Sequence, residues 1–185
     1  MVNLQFESFP QLLTERLLLR QLQLTDAPAI MQLRSDEQVN TFLGRKGTIS
    51  MEEATAFIHK IETTINNKQG LYWVLTLKHH PALIGTICYW NISHEKNMAE
   101  MGYELFPAFQ GKGLIQEAVS TVINFGLEQM NLDIITALPE AGNIKSIRVL
   151  HKNKFIPDEH HQFVSKEEAD GLLVYYLTKK KQPGY

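Results

Sequence analysis

Two glycines and a lysine sit where the longest helical pattern of this chain begins, in the run Gln110-Gly111-Lys112-Gly113-Leu114. Glycine at both positions keeps the loop free of side-chain bulk, so its backbone N–H groups can approach a ligand closely. A helix is predicted over 111–130, and the first N–H groups of a helix have no partner inside it. With the positive end of the helix dipole added, such a corner suits phosphate, and Lys112 adds a charge beside it. The alternative is a tight strand-to-helix turn without a ligand. The run is not a P-loop, because no Gly-Lys-Ser/Thr ending is present, and it lacks the three-glycine spacing of a dinucleotide fingerprint. A nucleotide phosphotransferase would want the Mg²⁺-holding hydroxyl that is missing after Lys112.

The elements around this corner follow from periodicity. Alternation predicts strands over 16–24, 71–77, 83–90 and 99–106, with Pro107 ending the last. Asn91 to Asn97 is polar and reads as a hairpin connection. The expected helices are a short one capped by Thr25, with Pro28 in its first turn, and another opened by a Ser35/Gln38 capping box. A longer helix starts at the Ser50/Glu53 box and carries the stripe Ala54, Phe57, Ile58, Ile61 and Ile65. The 111–130 helix should bury Ile115, Ala118, Val119, Val122 and Phe125. A strand over 134–138 follows, then a helix capped by Asn143, and a last strand pair around 155–164 and 172–178. Hairpin-joined strands leading into strand, helix, strand, helix, strand predict one α/β (α+β) domain spanning 1–185, with its core at about 13–178. The strands at 99–106 and 134–138 should be parallel, joined by a right-handed crossover.

Composition narrows the function classes. The chain has 185 residues, 44% hydrophobic and 21% charged, with a formal net charge of −2. That balance suits a globular fold and offers no basic field for nucleic acid. Cys88 is the single cysteine, which excludes a disulfide framework and a thiolate zinc site. Glu7 and Pro10 interrupt any signal-peptide pattern, and no apolar run reaches the length of a membrane span. A cytoplasmic location, no membrane association, and a monomer or homodimer are expected. The pairs His79-His80 and His160-His161 lack a third ligand at metal spacing, so no metal is expected. Lys179 to Lys181 reads as a solvated tail. Trp73, Tyr89 and Trp90 are expected in the core, and Cys88, mid-strand, is expected to be inert.

The stretch 98–118, Met-Ala-Glu-Met-Gly-Tyr-Glu-Leu-Phe-Pro-Ala-Phe-Gln-Gly-Lys-Gly-Leu-Ile-Gln-Glu-Ala, resembles the central motif of the GNAT N-acetyltransferase superfamily. Its Gln/Arg-x-x-Gly-x-Gly/Ala pattern is carried by Gln110, Gly113 and the position of Ile115. Gly102-Tyr103-Glu104-Leu105, Glu117-Ala118 and the opening Leu13-Thr14-Glu15-Arg16-Leu17-Leu18-Leu19-Arg20 are similar to the ribosomal-protein N-terminal acetyltransferase branch. A third match is Asn143-x-x-Ser146, ending in Lys152-x-x-Phe155. Two departures stand out: Ile115 occupies a usual Gly/Ala position, and Lys154 a usual Gly position.

The resemblance implies a mixed, mostly antiparallel sheet with helices on both faces and a bulged strand at 99–106 that splays from its parallel neighbour. It implies acetyl-coenzyme A as cosubstrate, with its pyrophosphate on the backbone of Gln110, Gly111, Lys112, Gly113, Leu114 and Ile115. Backbone N–H groups near Leu105 and Phe106, unpaired by the sheet, would hold the pantetheine arm and the thioester oxygen. Glu100 would be the general base. Glu104 falls on the same face if alternation is regular. Ser146 would protonate the departing thiolate or relay a proton to it, since the tyrosine many relatives use is replaced by Leu150. Asn143 would lie near the coenzyme while capping its helix. The implied reaction is acetyl transfer to a primary amine (a protein N-terminus, a polyamine or another small amine) by direct attack in a ternary complex, with 42–64 as the acceptor wall. A non-catalytic acyl-coenzyme A sensor is the alternative.

Overall fold

The computed structural model describes residues 1–45 and 47–179. Its sheet has eight strands: β1 (Leu12–Leu13), β2 (Leu17–Gln21), β3 (Leu71–Leu77), β4 (His80–Ser93), β5 (Met98–Leu105), β6 (Ile134–Ala137), β7 (Ile156–Pro157) and β8 (Tyr175–Thr178), in the order β1-β2-β3-β4-β5-β6-β8-β7. Every neighbouring pair is antiparallel except β5 and β6. The helices are α1 (Ala27–Ser35), α2 (Glu37–Asn40), α3 (Met51–Asn66), α4 (Leu114–Glu128), α5 (Ile144–Lys152) and α6 (Lys166–Ala169).

Strand β3 shows why both faces need helices. It is buried almost throughout, and successive side chains point to opposite sides. Trp73 and Leu75 join a core with Ala118, Val119, Val122 and Phe125 of α4 and Leu150 of α5. Tyr72 and Val74 join a second core with Ile30 and Leu33 of α1 and Ala54 and Ile58 of α3. The sheet is thus sandwiched between α4/α5 and α1/α3. Tyr89 locks the first layer, its hydroxyl donating to the Val122 carbonyl at 3.0 Å, across the face where Gly126 leaves room for the ring.

Most expected elements are present, with differences that have local causes. Strand β2 stops at Gln21, because Asp26 draws the chain into a 3-10 turn. Its carboxylate accepts the Gln23 N–H at 2.9 Å and two bonds from Arg20 at 2.7 Å. Asp26, not Thr25, therefore sets that corner. Helix α2 is capped by Asp36, whose side chain accepts the Val39 N–H, while the Ser35 hydroxyl accepts the Ile49 N–H instead. The hairpin is shorter than expected, since β4 runs through to Ser93 and the histidine pair at 79–80 only turns into it.

The segment 155–164 contributes just two strand residues. The Asp158 carboxylate then accepts the Gln162 and Phe163 N–H groups and folds the chain into a loop leading to α6. Strand β8 enters between β6 and β7. Lys179 is not a free tail: its ammonium donates to the Leu127 carbonyl at 2.7 Å and lies 3.4 Å from Glu128. Lys180 and Lys181 lie outside the described residues, as does Lys46 in the 44–47 loop. Among the described residues no helix is long and apolar enough to cross a membrane.

Candidate active site

The parallel pair is where the sheet opens. Strands β5 and β6 pair only at Met98/Ile134, Ala99/Ile135 and Glu100/Thr136. Strand β6 ends at Ala137, while β5 continues to Leu105 and stays paired to β4 on its other edge. The second half of β5 therefore has a free edge. No bulge interrupts β5 between Glu100 and Leu105; the irregularity in this hairpin falls at Trp90/Ser93. The expected bulge is absent there, and regular alternation puts Glu100, Gly102 and Glu104 on one face and Met101, Tyr103 and Leu105 on the other.

That regularity corrects one expectation. The Phe106 N–H is not unpaired; it donates to the Ile84 carbonyl of β4 at 2.9 Å. Alternation of antiparallel bonding then turns the N–H groups of Leu105 and Tyr103 toward the free edge. The Leu105 carbonyl on that edge is taken by the Gln110 side chain at 2.9 Å, and Lys145 reaches the Gln110 amide oxygen at 3.0 Å. Gln110 thus ties the glycine turn to the end of β5.

The turn itself is held from below. Gly111 and Gly113 have φ of 74° and 79°, a region costly for residues with a Cβ, and Gly113 is the N-cap of α4 without any side-chain cap. The first intrahelical bond runs from the Glu117 N–H to the Gly113 carbonyl, which leaves the Leu114, Ile115 and Gln116 amides unpaired by a cap. Arg16 fixes the turn, donating to the Lys112 carbonyl at 2.9 Å and pairing with Glu117 at 2.8 Å. Glu117 also accepts from the Arg16 N–H and the Thr14 hydroxyl. Its partial burial pulls its pKa upward, but these hydrogen bonds and the Arg16 charge hold it below the usual carboxylate value. Lys112 stands exposed with its ammonium 5.5 Å from the Phe109 ring centroid. Ile115 packs half-buried against the core, and Lys154 sits at φ 68°, which accounts for glycine at that place in the motif.

Across the gap, Asn143 caps α5, its side chain accepting the Ser146 N–H at 3.1 Å. The Ser146 hydroxyl meets Tyr103, oxygen to oxygen at 2.8 Å. Burial pushes the Tyr103 phenol up to about 12, so it is protonated at neutral pH. A cavity of about 630 Å³ passes through the opening, bordered by Ser146, Asn143 and Tyr103 on one side and by Glu100 and Glu104 on the other. Gly102 keeps its floor low between the two glutamates. The Glu104 oxygens are engaged by Arg45 and by the Thr86 hydroxyl. Glu100 receives one hydrogen bond, from Asn91 at 2.9 Å on Oε2. Trp90, expected in the core, is 49% exposed at the cavity edge, whereas Trp73 and Tyr89 are buried. Burial raises the Cys88 thiol to about 12. Among the described residues no cluster of three or more His, Cys, Asp or Glu is arranged to hold a metal.

Of the residues expected from sequence, Glu100, Asn143 and Ser146 border the cavity, while Leu105 and the 110–115 turn lie off its lining and are linked to one another and to α5 through Gln110. Sequence reasoning missed Tyr103 as a partner of Ser146, although a tyrosine among the inward residues Met101 and Leu105 signals a polar handle wanting a partner. Arg45 carried no such signal.

A mixed sheet that parts beside its one parallel pair, with an uncapped glycine-led helix at the break, defines an acyl-transferring fold of the GNAT type. Residues 16–156 match the family described as acetyltransferase (GNAT) domain, and the chain belongs to that family of acyltransferase enzymes. It is 33% identical over 175 residues to the uncharacterized N-acetyltransferase YoaA of Bacillus subtilis (strain 168), covering 95% of this chain and 92% of that one. Among solved structures its fold resembles ribosomal-protein-S5-alanine acetyltransferase from Vibrio fischeri (TM-score 0.71, 20% identity, 93% of this chain and 98% of that one). It also resembles RimL, a ribosomal L7/L12 alpha-N-protein acetyltransferase solved with coenzyme A (TM-score 0.77, 16% identity, 92% and 97%).

Proposed function

We propose that this chain transfers an acetyl group from acetyl-coenzyme A to a primary amine by direct attack within a ternary complex. The observation that carries this reading is the parting of β5 from β6 after Glu100, with the uncapped start of α4 at one end of the gap. The residues fit the cosubstrate: Gly111 and Gly113 add no side-chain bulk to the turn, and the Leu114, Ile115 and Gln116 amides are available to a pyrophosphate. The edge N–H of Leu105 would bind the thioester oxygen as charge develops there, a contribution of about 3 kcal/mol where comparable donors have been removed.

An attacking amine must first lose a proton, because a lysine-type amine titrates near ~10 and an α-amine near ~8. Glu100 is the better base of the two glutamates. Its Oε1 has no hydrogen-bond partner among the described residues, whereas both Glu104 oxygens are engaged. Ser146 would donate to the departing sulfur, with Tyr103 orienting its hydroxyl. A phenol raised to about 12 is a weaker acid than a thiol of roughly 8.5, so the pair stabilises the thiolate by hydrogen bonding rather than by giving up a proton for good. The net proton comes from the amine, through Glu100 and water.

No covalent enzyme intermediate is needed. Cys88, the one cysteine, is buried and stays a thiol. Mass spectrometry after incubation with acetyl-coenzyme A alone should show an unmodified chain; a stoichiometric acetyl-enzyme competent to transfer would overturn the mechanism. Glu100→Gln should lower the rate by ~10²–10⁴-fold while leaving coenzyme binding in place. A binding protein without turnover would have no rate to lose. The Tyr103–Ser146 pair beside the gap favours turnover over that sensor reading.

A further inference from the structure

The part of the cavity beneath α1 and α3 has a donor-rich, acceptor-poor wall. The Arg34 guanidinium lies over the Phe57 ring, 4.1 Å from its centroid. Among the described residues it makes no hydrogen bond and no carboxylate stands within ion-pair distance, although Glu104 is close enough to influence it. The Arg45 guanidinium pairs with Glu104 through Nη2, yet its Nε is buried without a partner. The Tyr72 residue is only 8% exposed, and its hydroxyl completes no hydrogen bond, with the Thr86 hydroxyl as the polar group beside it. The nearby Thr86 hydroxyl donates to Glu104. All of these residues border the same cavity.

Three unpartnered donor groups, two of them on arginines, against one engaged glutamate make an arrangement that is incomplete without an anion. A buried donor left unsatisfied costs about 1–3 kcal/mol, so such groups are seldom left together unless something outside the chain pairs with them. Burial and then the neighbouring Arg45 charge weaken the hold of Arg34 on its proton, with Glu104 acting the other way, so a further acidic group would be favourable beside it. The planar fork of arginine over an aromatic ring matches carboxylate or phosphate oxygens.

We propose that the acceptor carries, besides its amine, an acidic group that is bound by Arg34, the Tyr72 hydroxyl and Arg45 Nε. This rests on the acetyl-transfer reading above and names the acceptor class within it. The amine end would lie at Glu100 and the acid end under α1, so that amphoteric acceptors fit and polyamines do not. The cavity of about 630 Å³ is the size of a metabolite site. A free amino acid or amino phosphate and an acidic residue at a peptide N-terminus offer the same chemistry.

The test is a panel of matched acceptors in which each carboxylate or phosphate is paired with its uncharged amide or alcohol, as free compounds and as short N-terminal peptides. Release of coenzyme A is the readout. The acidic members should exceed their partners about 10- to 100-fold in kcat/KM, mostly through KM. The two arms decide which source is used. Arg34→Met, which keeps contact with Phe57, should bring each acidic member down to the level of its partner, with coenzyme A uptake as the folding control. Tyr72→Phe should erode the same preference by roughly 3- to 10-fold. Equal use of acidic and neutral members, or a preference that survives Arg34→Met, overturns the proposal while acetyl transfer stands. If coenzyme binds and no acceptor turns over, the transfer reading fails instead. Calorimetric binding of the same pairs then decides the anion site alone: tighter binding of the acidic members supports it, and equal binding ends it.

Discussion

Helices α3 and α4 are nearly equal in length, sixteen and fifteen residues, yet they begin in different ways. The start of α3 is closed by its own sequence. The Ser50 hydroxyl accepts the Glu53 N–H at 3.2 Å, and the Glu53 carboxylate accepts the Ser50 N–H at 2.7 Å. The start of α4 has no such closure: Gly113 has no side chain to offer, and Glu117 turns away toward Thr14 and Arg16. The same four orphan N–H groups exist at both ends. In α3 they serve stability, and in α4 they are left without a side-chain cap while the turn is anchored through its carbonyl side, as the proposed pyrophosphate site requires.

The comparison can be broken by making α4 resemble α3. Gly113→Asp would place a negative charge, and a Cβ strained at φ 79°, at the mouth of α4, and should weaken coenzyme A binding on the order of 100-fold or more, as like charge in a binding site costs several kcal/mol. Calorimetry reads this directly. The anchor is tested next by Glu117→Gln, which leaves the amides intact but removes the charge facing Arg16. A loss of about 1–2 kcal/mol in unfolding free energy is expected, together with weaker coenzyme uptake.

Acid sharpens the same point. The Glu117 pKa is lowered in the folded chain, so its stabilisation is present above its unfolded value of 4.5 and is lost as pH falls below that. Chemical denaturation between pH 6 and about 3 should show a steeper loss for the native chain than for Glu117→Gln. Ser50→Ala should cost about 1 kcal/mol of stability and leave coenzyme affinity unchanged. The smallest effect concerns Lys154, whose φ of 68° suits glycine; Lys154→Gly should add up to about 1 kcal/mol to stability in thermal melts.

Much of the site could be read from residue order, because its parts are local. The 110–114 turn, the Ser50 box and the Asn143 cap each depend on residues within one helical turn of one another, so spacing alone identifies them. What escaped notice is long-range. Ser35 and Asp36 are both competent caps, and only the Ile49 N–H, brought alongside by the fold, takes Ser35 away. The Tyr103–Ser146 contact spans 43 positions and depends on the parting of β5 from β6. The direction of the Phe106 N–H turned on whether β5 contains a bulge, which alternating apolar residues cannot report. Trp90 follows the strand pattern faithfully and is still half exposed, because the face it points to is a cavity rather than a core.

The most direct measurement is a titration of the ¹⁵N-labelled chain with coenzyme A, followed through backbone amide shifts. The amides of Leu114, Ile115 and Gln116 should move strongly and saturably, while those of Met51, Glu52 and Glu53 at the closed helix start stay in place. Shifts that leave 111–116 untouched, or that cluster at another part of the fold, would contradict the assignment of the α4 start as the anion cradle.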